Sequence, residues 1–341
     1  MKTLYAIFVK KTIIIMKIIK TIIFYSFLLT FIACKQSSVK KDYVLKGFVF
    51  GTSYKITYLN ADKNYKKTLD SLFLRVNNSV STYIETSDIS QINLGNTHIS
   101  IDEIFTEVFK KSKKIHKETD GFFDPTVGNL VNSYGFGPKD EMVNLTDTEV
   151  VAQMQFVGLD KVKLINGEIV KEHPKVYLDF NSIAKGFGID VIARFFNEKN
   201  IDSYLIEIGG EIRAKGTKKN DEPWIIKLVN PVDVENGFKV INLSDKSMAT
   251  SGNYRKFRIS EDGKKYVHTI NPKTGFATES NLLSVSVIGA VDCADVDAYA
   301  TAFMAMGLEK TKEFLKNNNE LKVILIYLNK NGDLEEYTTY K

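Results

Sequence analysis

The chain has 341 residues, 44% of them apolar, enough to bury a sizeable core, which excludes disorder as its default state. Its formal charge of +5 is local: residues 1–33 carry five lysines and no acidic residue, and without them Lys+Arg falls from 46 to 41, against 41 Asp+Glu. The remainder is formally neutral, so charge gives no support for nucleic-acid binding. Cysteines number only two, Cys34 and Cys293, which excludes a disulfide framework and a cysteine-based metal site within one chain.

The chain opens with a basic stretch and an apolar run from Thr21 to Ala33, followed by a cysteine. This is the pattern of a secretory signal. A membrane anchor is the alternative, but the run falls short of the roughly 20 residues a span needs. "FIAC" resembles a bacterial lipobox, with Cys34 as the lipidated first residue of the mature protein. Met16, followed by Lys17 and Lys20, offers an alternative start. The expected organisation is a lipoprotein signal peptide over 1–33, a polar tether over 34–43 and one folded domain over 44–341. Export and attachment to the cell envelope through lipid on Cys34, on its periplasmic or outer face, follow as expectations.

Beyond the tether, "YVLKGFVFGTSYKITYL" alternates as a hairpin does, with Gly51 near its middle. Residues 65–80 and 100–117 read as amphipathic helices. "KVYLDF" reads as a strand, and "NSIAKGFGIDVIARFFNEKN" as a helix capped by Asn181 or Ser182. "SYLIEIGGEIRAKG" gives two short strands around Gly209-Gly210. "EPWIIKLVN", "KVINLS", "YRKFRIS", "LLSVSVIGA" and "LKVILIYLN" complete the strands. Strands and helices do not alternate strictly, so the expected fold class is α+β: a single large domain of mixed or antiparallel sheets with packed helices.

Several chemistries are excluded. No glycine-rich dinucleotide or P-loop motif, H-E-x-x-H or G-x-S-x-G is present, and the four histidines do not cluster in sequence. What remains are loop and helix-start stretches. Lys185 lies in the first turn of its predicted helix, where a cation opposes the helix dipole. It is either a surface lysine or a holder of an anion. The Gly209-Gly210 pair is either a tight turn or a close approach to a ligand. His268 precedes an Asn-Pro turn, a loop setting that admits a structural or a functional role. In "DCADVDAYAT", Asp292 suits the N-cap and Asp295 the N3 position, but capping leaves Asp297 and Thr301 unexplained. Four residues apart, they share a helix face with Ala298 and Ala302, which leave room for something to approach. They form either an ordinary helix face or half of an oxygen-only site of the kind Mg²⁺ or Ca²⁺ takes.

In combination, "STYIETSDIS", T-D-G-x-F-D-x-T-V-G, D-x(3)-I-A-K-G, G-G-E-I-R-A-x-G, A-T-S-G-x-Y-R, H-x-I-x-P-x-T-G and D-A-x-x-T resemble the ApbE family of FAD:protein FMN transferases from about residue 45 to about residue 330. The resemblance implies a reaction. FAD binds with Mg²⁺ on its diphosphate, a threonine hydroxyl of a partner protein attacks the phosphorus of the FMN half, and AMP leaves. It also implies an acceptor flavoprotein with a D-[GAS]-x-T-[SG]-A-T-like segment: an Nqr- or Rnf-type subunit or an extracytosolic reductase. Asp297, Thr301 and the Ser182 carbonyl match metal positions. Phe50, Tyr83, Asp124, Pro125, Thr126, Asp179, Lys185 and Ile270 match FAD positions. Lys185 beside the diphosphate and His268 as base or orienting group are the implied catalytic residues. Four departures stand out: Phe50 replaces a usual Met, Asn181-Ser182 a usual Gly-Gly or Gly-Ala, and Asn253 and Asn271 usual aspartates. With water as nucleophile the same site gives an FAD pyrophosphatase; without turnover it gives an FAD-binding lipoprotein.

Overall fold

The computed structural model describes residues 1–30, 39–96, 98–139, 141–233, 235, 237–253, 257–259, 265–277 and 280–340. Cys34 and its lipobox lie outside the described residues. The chain divides into two units, Met1–Lys40 and Lys41–Lys341. The first holds helix α1 (Lys2–Thr30). Among the described residues no helix is long and apolar enough to cross a membrane.

The second unit opens with a hairpin, β1 (Lys41–Val49) and β2 (Thr52–Ala61), turning at Phe50-Gly51. Both turn residues have positive φ, 51° and 72°, as a tight two-residue hairpin turn requires. Glycine adopts this freely; a phenylalanine there is strained. Helices α2 (Lys66–Val80), α3 (Asp88–Asn93), α4 (Glu103–Glu118), α5 (Gly128–Ser133) and α6 (Asp147–Met154) follow. A small hairpin, β3 (Val162–Ile165) and β4 (Glu168–Lys171), precedes α7 (Ala184–Glu198). Then come β5 (Tyr204–Ile208), β6 (Glu211–Lys215), β7 (Trp224–Val229), β8 (Gly237–Leu243), β9 (Lys246–Gly252), β10 (Phe257–Ile259), β11 (Lys265–Val267) and β12 (Leu282–Gly289). Helices α8 (Cys293–Met306) and α9 (Leu308–Leu315) and strands β13 (Lys322–Leu328) and β14 (Leu334–Thr338) close the chain.

Eight strands form one antiparallel sheet in the order β1-β2-β5-β6-β9-β12-β13-β14. The fold class is α+β. Strand periodicity divides its core between two faces. Ala249, Val285, Val287, Val323 and Leu325 pack on the side that holds α7 and α8, while Met248, Ile288, Ile324 and Ile326 pack with the separate β7–β8 hairpin. A helix apolar all round belongs in an interior, and α8 is buried from Cys293 to Ala300.

Two local readings are corrected. "KVYLDF" is not a strand: Tyr177 makes one isolated bridge, to Val127. The Asn93 side chain instead accepts from Leu178 N–H and donates to Leu178 C=O, both at 2.8 Å, which does the work of a neighbouring strand. The α7 N-cap is Ile183 rather than Asn181 or Ser182, because Asp179 accepts the Asn181 N–H at 2.8 Å and turns the chain before the helix begins. Capping of α8 also differs from the local reading. Asp292 occupies the N-cap without a side-chain capping bond. The carboxylate that receives the Cys293 and Ala294 N–H groups, at 2.8 Å each, belongs to Asp190 of α7.

Candidate active site

Packing of α7 against α8 sets the centre of the site. A Cβ on Gly186 would lie 2.4 Å from the Cys293 carbonyl oxygen, so only glycine allows this approach. At that distance Gly186 N–H donates to Asp297 Oδ2 at 3.0 Å. One residue earlier, the Lys185 ammonium lies 3.5 Å from Glu211 Oε2 and 3.9 Å from Asp297 Oδ1. The dipole misfit of Lys185 is thereby explained: two carboxylates oppose the helix end. Burial works against its charge, yet Asp297 and Glu211 outweigh burial and hold its pKa above the ordinary amine value. Burial pushes Asp297 upward against the pull of Lys185. Glu211 is pushed up to about 8, by burial first, with Lys185 pulling it down and Asp297 adding to the rise. Among the described residues its buried Oε2 has only the long contact to Lys185.

These groups line a cleft of about 1110 Å³, which also takes in Phe50, Tyr83, Asp124, Asp179, Ser182, His268, Ile270 and Thr301. Ten of the twelve residues predicted from sequence therefore share one cavity: the eight just named with Lys185 and Asp297. Pro125 and Thr126 do not reach it; they hold its wall. The Pro125 carbonyl accepts Asp179 N–H at 2.7 Å. Buried Thr126 donates to Asp124 Oδ1 at 2.6 Å and accepts Gly158 N–H at 2.6 Å. The Phe50 ring lies over Gly188, where a Cβ would come within 2.4 Å of it. Exposed Tyr83 donates to the Phe136 carbonyl at 3.3 Å, and the His268 ring meets Phe136 edge-on at 6.2 Å between centroids.

The asparagine departures are absorbed by the loop. Asn253 Oδ1 accepts the Thr269 hydroxyl at 2.8 Å, and Asn271 Oδ1 accepts Lys273 N–H at 2.9 Å. Ala298 and Ala302 are fully buried in the core and do not line the cleft, so they make room for packing and not for a cofactor. Cys293 is buried, and burial raises its pKa well above the ordinary thiol value.

Sequence reasoning missed Glu211, although its motif was in view, and missed Ser251, whose hydroxyl lies 3.5 Å from that of Thr301. The donors suit a hard cation: Asp297 carboxylate, Thr301 hydroxyl and Ser182 carbonyl are all oxygens. No cluster of three or more His, Cys, Asp or Glu able to hold a metal exists among the described residues. A cation here would therefore draw its remaining ligands from an anionic substrate or water.

A cleft that combines a lysine with aromatic walls suits an anionic ligand with a ring system. Residues 50–325 match the model of the ApbE family. The FAD:protein FMN transferase of Haemophilus influenzae is 35% identical over 333 residues, 93% of this chain and 94% of that protein. That of Vibrio cholerae is 34% identical over 304 residues, 86% of this chain and 90% of that protein. Among solved structures, the flavin transferase ApbE from Vibrio cholerae superposes with a TM-score of 0.79 at 32% identity, covering 88% of this chain and 98% of that one. The chain belongs to the ApbE family.

Proposed function

We propose that this enzyme transfers FMN from FAD to a threonine hydroxyl of a partner flavoprotein, with Mg²⁺ at Asp297, Thr301 and the Ser182 carbonyl. The relatives' names support flavin transfer to a protein. The observation that carries the finer reading is the cluster of Lys185, Asp297 and Glu211 inside the cleft. Phosphoryl-type transfer needs positioning and charge neutralisation more than covalent chemistry. Phe50 and Tyr83 hold the flavin rings, and Lys185 neutralises the diphosphate. Mg²⁺, when bound, would neutralise further charge on that diphosphate. His268 accepts the proton of the attacking hydroxyl. The new phosphorus–oxygen bond joins FMN to the threonine, the diphosphate bond breaks, and AMP carries away the released oxygen.

The acceptor is a flavoprotein with a D-[GAS]-x-T-[SG]-A-T-like segment, of Nqr or Rnf type or an extracytosolic reductase. The leader sequence supports export and lipid attachment at Cys34. The test mixes purified protein, FAD, Mg²⁺ and a reporter protein carrying that segment, and follows flavin fluorescence on a denaturing gel. Labelling that requires Mg²⁺ and disappears in Asp297→Ala supports the reading. Release of FMN and AMP without labelling replaces it with FAD hydrolysis.

A further inference from the structure

Strand β7 stands outside the eight-stranded sheet and, among the described residues, pairs with β8 alone. Yet Ile226, Lys227, Leu228 and Val229 all line the cleft, and no described residue of β8 does. Successive side chains of a strand point to opposite faces. A cavity touched by four consecutive residues is therefore touched along the strand's edge. Side-chain burial agrees: Ile226 and Leu228 pack inward with Ile241 and Leu243, while Ile225 and Lys227 turn outward. In an antiparallel pair, alternate residues aim N–H and C=O away from the partner strand. On β7 those groups face the cleft, and among the described residues no backbone group outside the hairpin bonds to them.

Two further observations say what belongs there. The outer face of the hairpin exposes Ile225 and Val240, at 51% and 58%, beside Lys227 and Asn242, and the connection between its strands exposes Val232, at 60%. A lone edge lysine such as Lys227 is ordinary protection against strand pairing, but it does not account for three exposed aliphatic residues around it. Across the cleft, the sheet presents short hydroxyl side chains, Thr250, Ser284 and Ser286, with Thr250 and Ser286 in contact at 2.8 Å. Ser251, the next residue along β9, turns to the opposite face of the sheet, where its hydroxyl lies 3.5 Å from that of Thr301. One cleft takes in both faces, with Thr250, Ser251, Asp297 and Thr301 all on its lining, so the lobe beside β7 is continuous with the reaction centre, and its floor suits small polar side chains.

We infer that the free edge of β7 seats an extended segment of the flavin-accepting protein as an added strand, leading its hydroxyl toward Asp297 and Thr301. Main-chain bonds to the edge hold the segment, as in other strand-addition complexes. Apolar flanks of the acceptor cover Ile225 and Val240. The inference rests on the transferase reading and names how its protein substrate docks.

The experiment uses the full chain with FAD, Mg²⁺ and a reporter protein ending in Asp-Gly-Ala-Thr-Ser-Ala-Thr. Hydrogen exchange of residues 224–229 should slow at least tenfold when reporter joins FAD, and should not slow with FAD alone. Lys227→Pro and Leu228→Pro each delete one N–H, one aimed at the cleft and one at β8. The variant that keeps the wild-type melting temperature has lost the cleft-facing donor. It should raise KM for the reporter at least tenfold, with kcat and FAD affinity within twofold. Unchanged exchange in β7, equal protection by FAD alone, or an unchanged KM in that folded variant would each overturn the inference. A wild-type protein that leaves the reporter unlabelled fails at the earlier step and removes the transferase reading itself.

Discussion

Gly186→Ala tests whether the approach of α7 to α8 builds the site. The added Cβ would lie 2.4 Å from the Cys293 carbonyl oxygen, against about 3.4 Å for an ordinary contact, and both partners are backbone. The helices must part by about 1 Å, since neither has a side chain to swing aside. Overpacking of this kind costs about 1–3 kcal/mol. The same shift stretches the Gly186–Asp297 bond from 3.0 Å beyond hydrogen-bonding range. Losing a bond to a charged group adds about 1.5–3 kcal/mol. At roughly 2–4 °C per kcal/mol for a domain of this order, the melting temperature should fall by on the order of 5–25 °C. Activity should suffer more, because a displacement near 1 Å at a reacting centre can cost about 100-fold. Thermal unfolding and the rate of reporter flavinylation measure the two effects. A melting temperature within about 1 °C of wild type together with full activity would refute the argument that this contact positions Asp297.

Gly188→Ala makes an instructive contrast: its Cβ meets the Phe50 ring at 2.4 Å, which can move, so FAD affinity should weaken while stability changes by less than about 1 kcal/mol. Thr126→Val should cost more in stability, about 1–3 kcal/mol, because buried Thr126 lies outside the cleft and braces Gly158 and the wall residue Asp124, with any rise in the KM for FAD following from Asp124 alone. Asp190 tests pH dependence. Burial lifts its pKa from 3.8 to about 6, aided by Asp292 and opposed by Arg213. A raised carboxylate pKa contributes stability that is complete below about 4 and is lost as pH rises through 6, about 3 kcal/mol in all. Urea unfolding should therefore show wild type losing ground to Asp190→Asn between pH 4.5 and 7; a difference that stays flat with pH would sink this account. Lys185→Met should weaken FAD binding at least tenfold by fluorescence titration, because it leaves Asp297 and Glu211 facing a bound diphosphate without their shared cation.

The parts of the site that could be read locally were those with a local oddity. Lys185 opposed its helix dipole, and Asp297 had no capping role; both oddities resolve in the same cluster. Glu211 showed no such oddity, since a glutamate opening a strand reads as a solvated residue. Only the turn at Gly209-Gly210 carries it inward to 3% exposure. Asp190 did leave a trace, a carboxylate among apolar residues in the middle of a helix, but its purpose lies across 103 residues of chain at the start of α8. "KVYLDF" misled because its pattern suits a strand, whereas its partner is one asparagine side chain. In each case the tertiary partner, and not the local pattern, decided the residue's use.

The bond from Gly186 to Asp297 joins positions 111 residues apart. No fragment ending before α8 contains both halves of the site, so the chain acquires its ligand-binding capacity only once the final helices have docked. A ligand held by both halves then acts on the native state alone, and FAD at about 100 times its Kd should add roughly 2.7 kcal/mol to global stability. For such a protein, resistance to proteolysis becomes a gauge of how much flavin its surroundings supply.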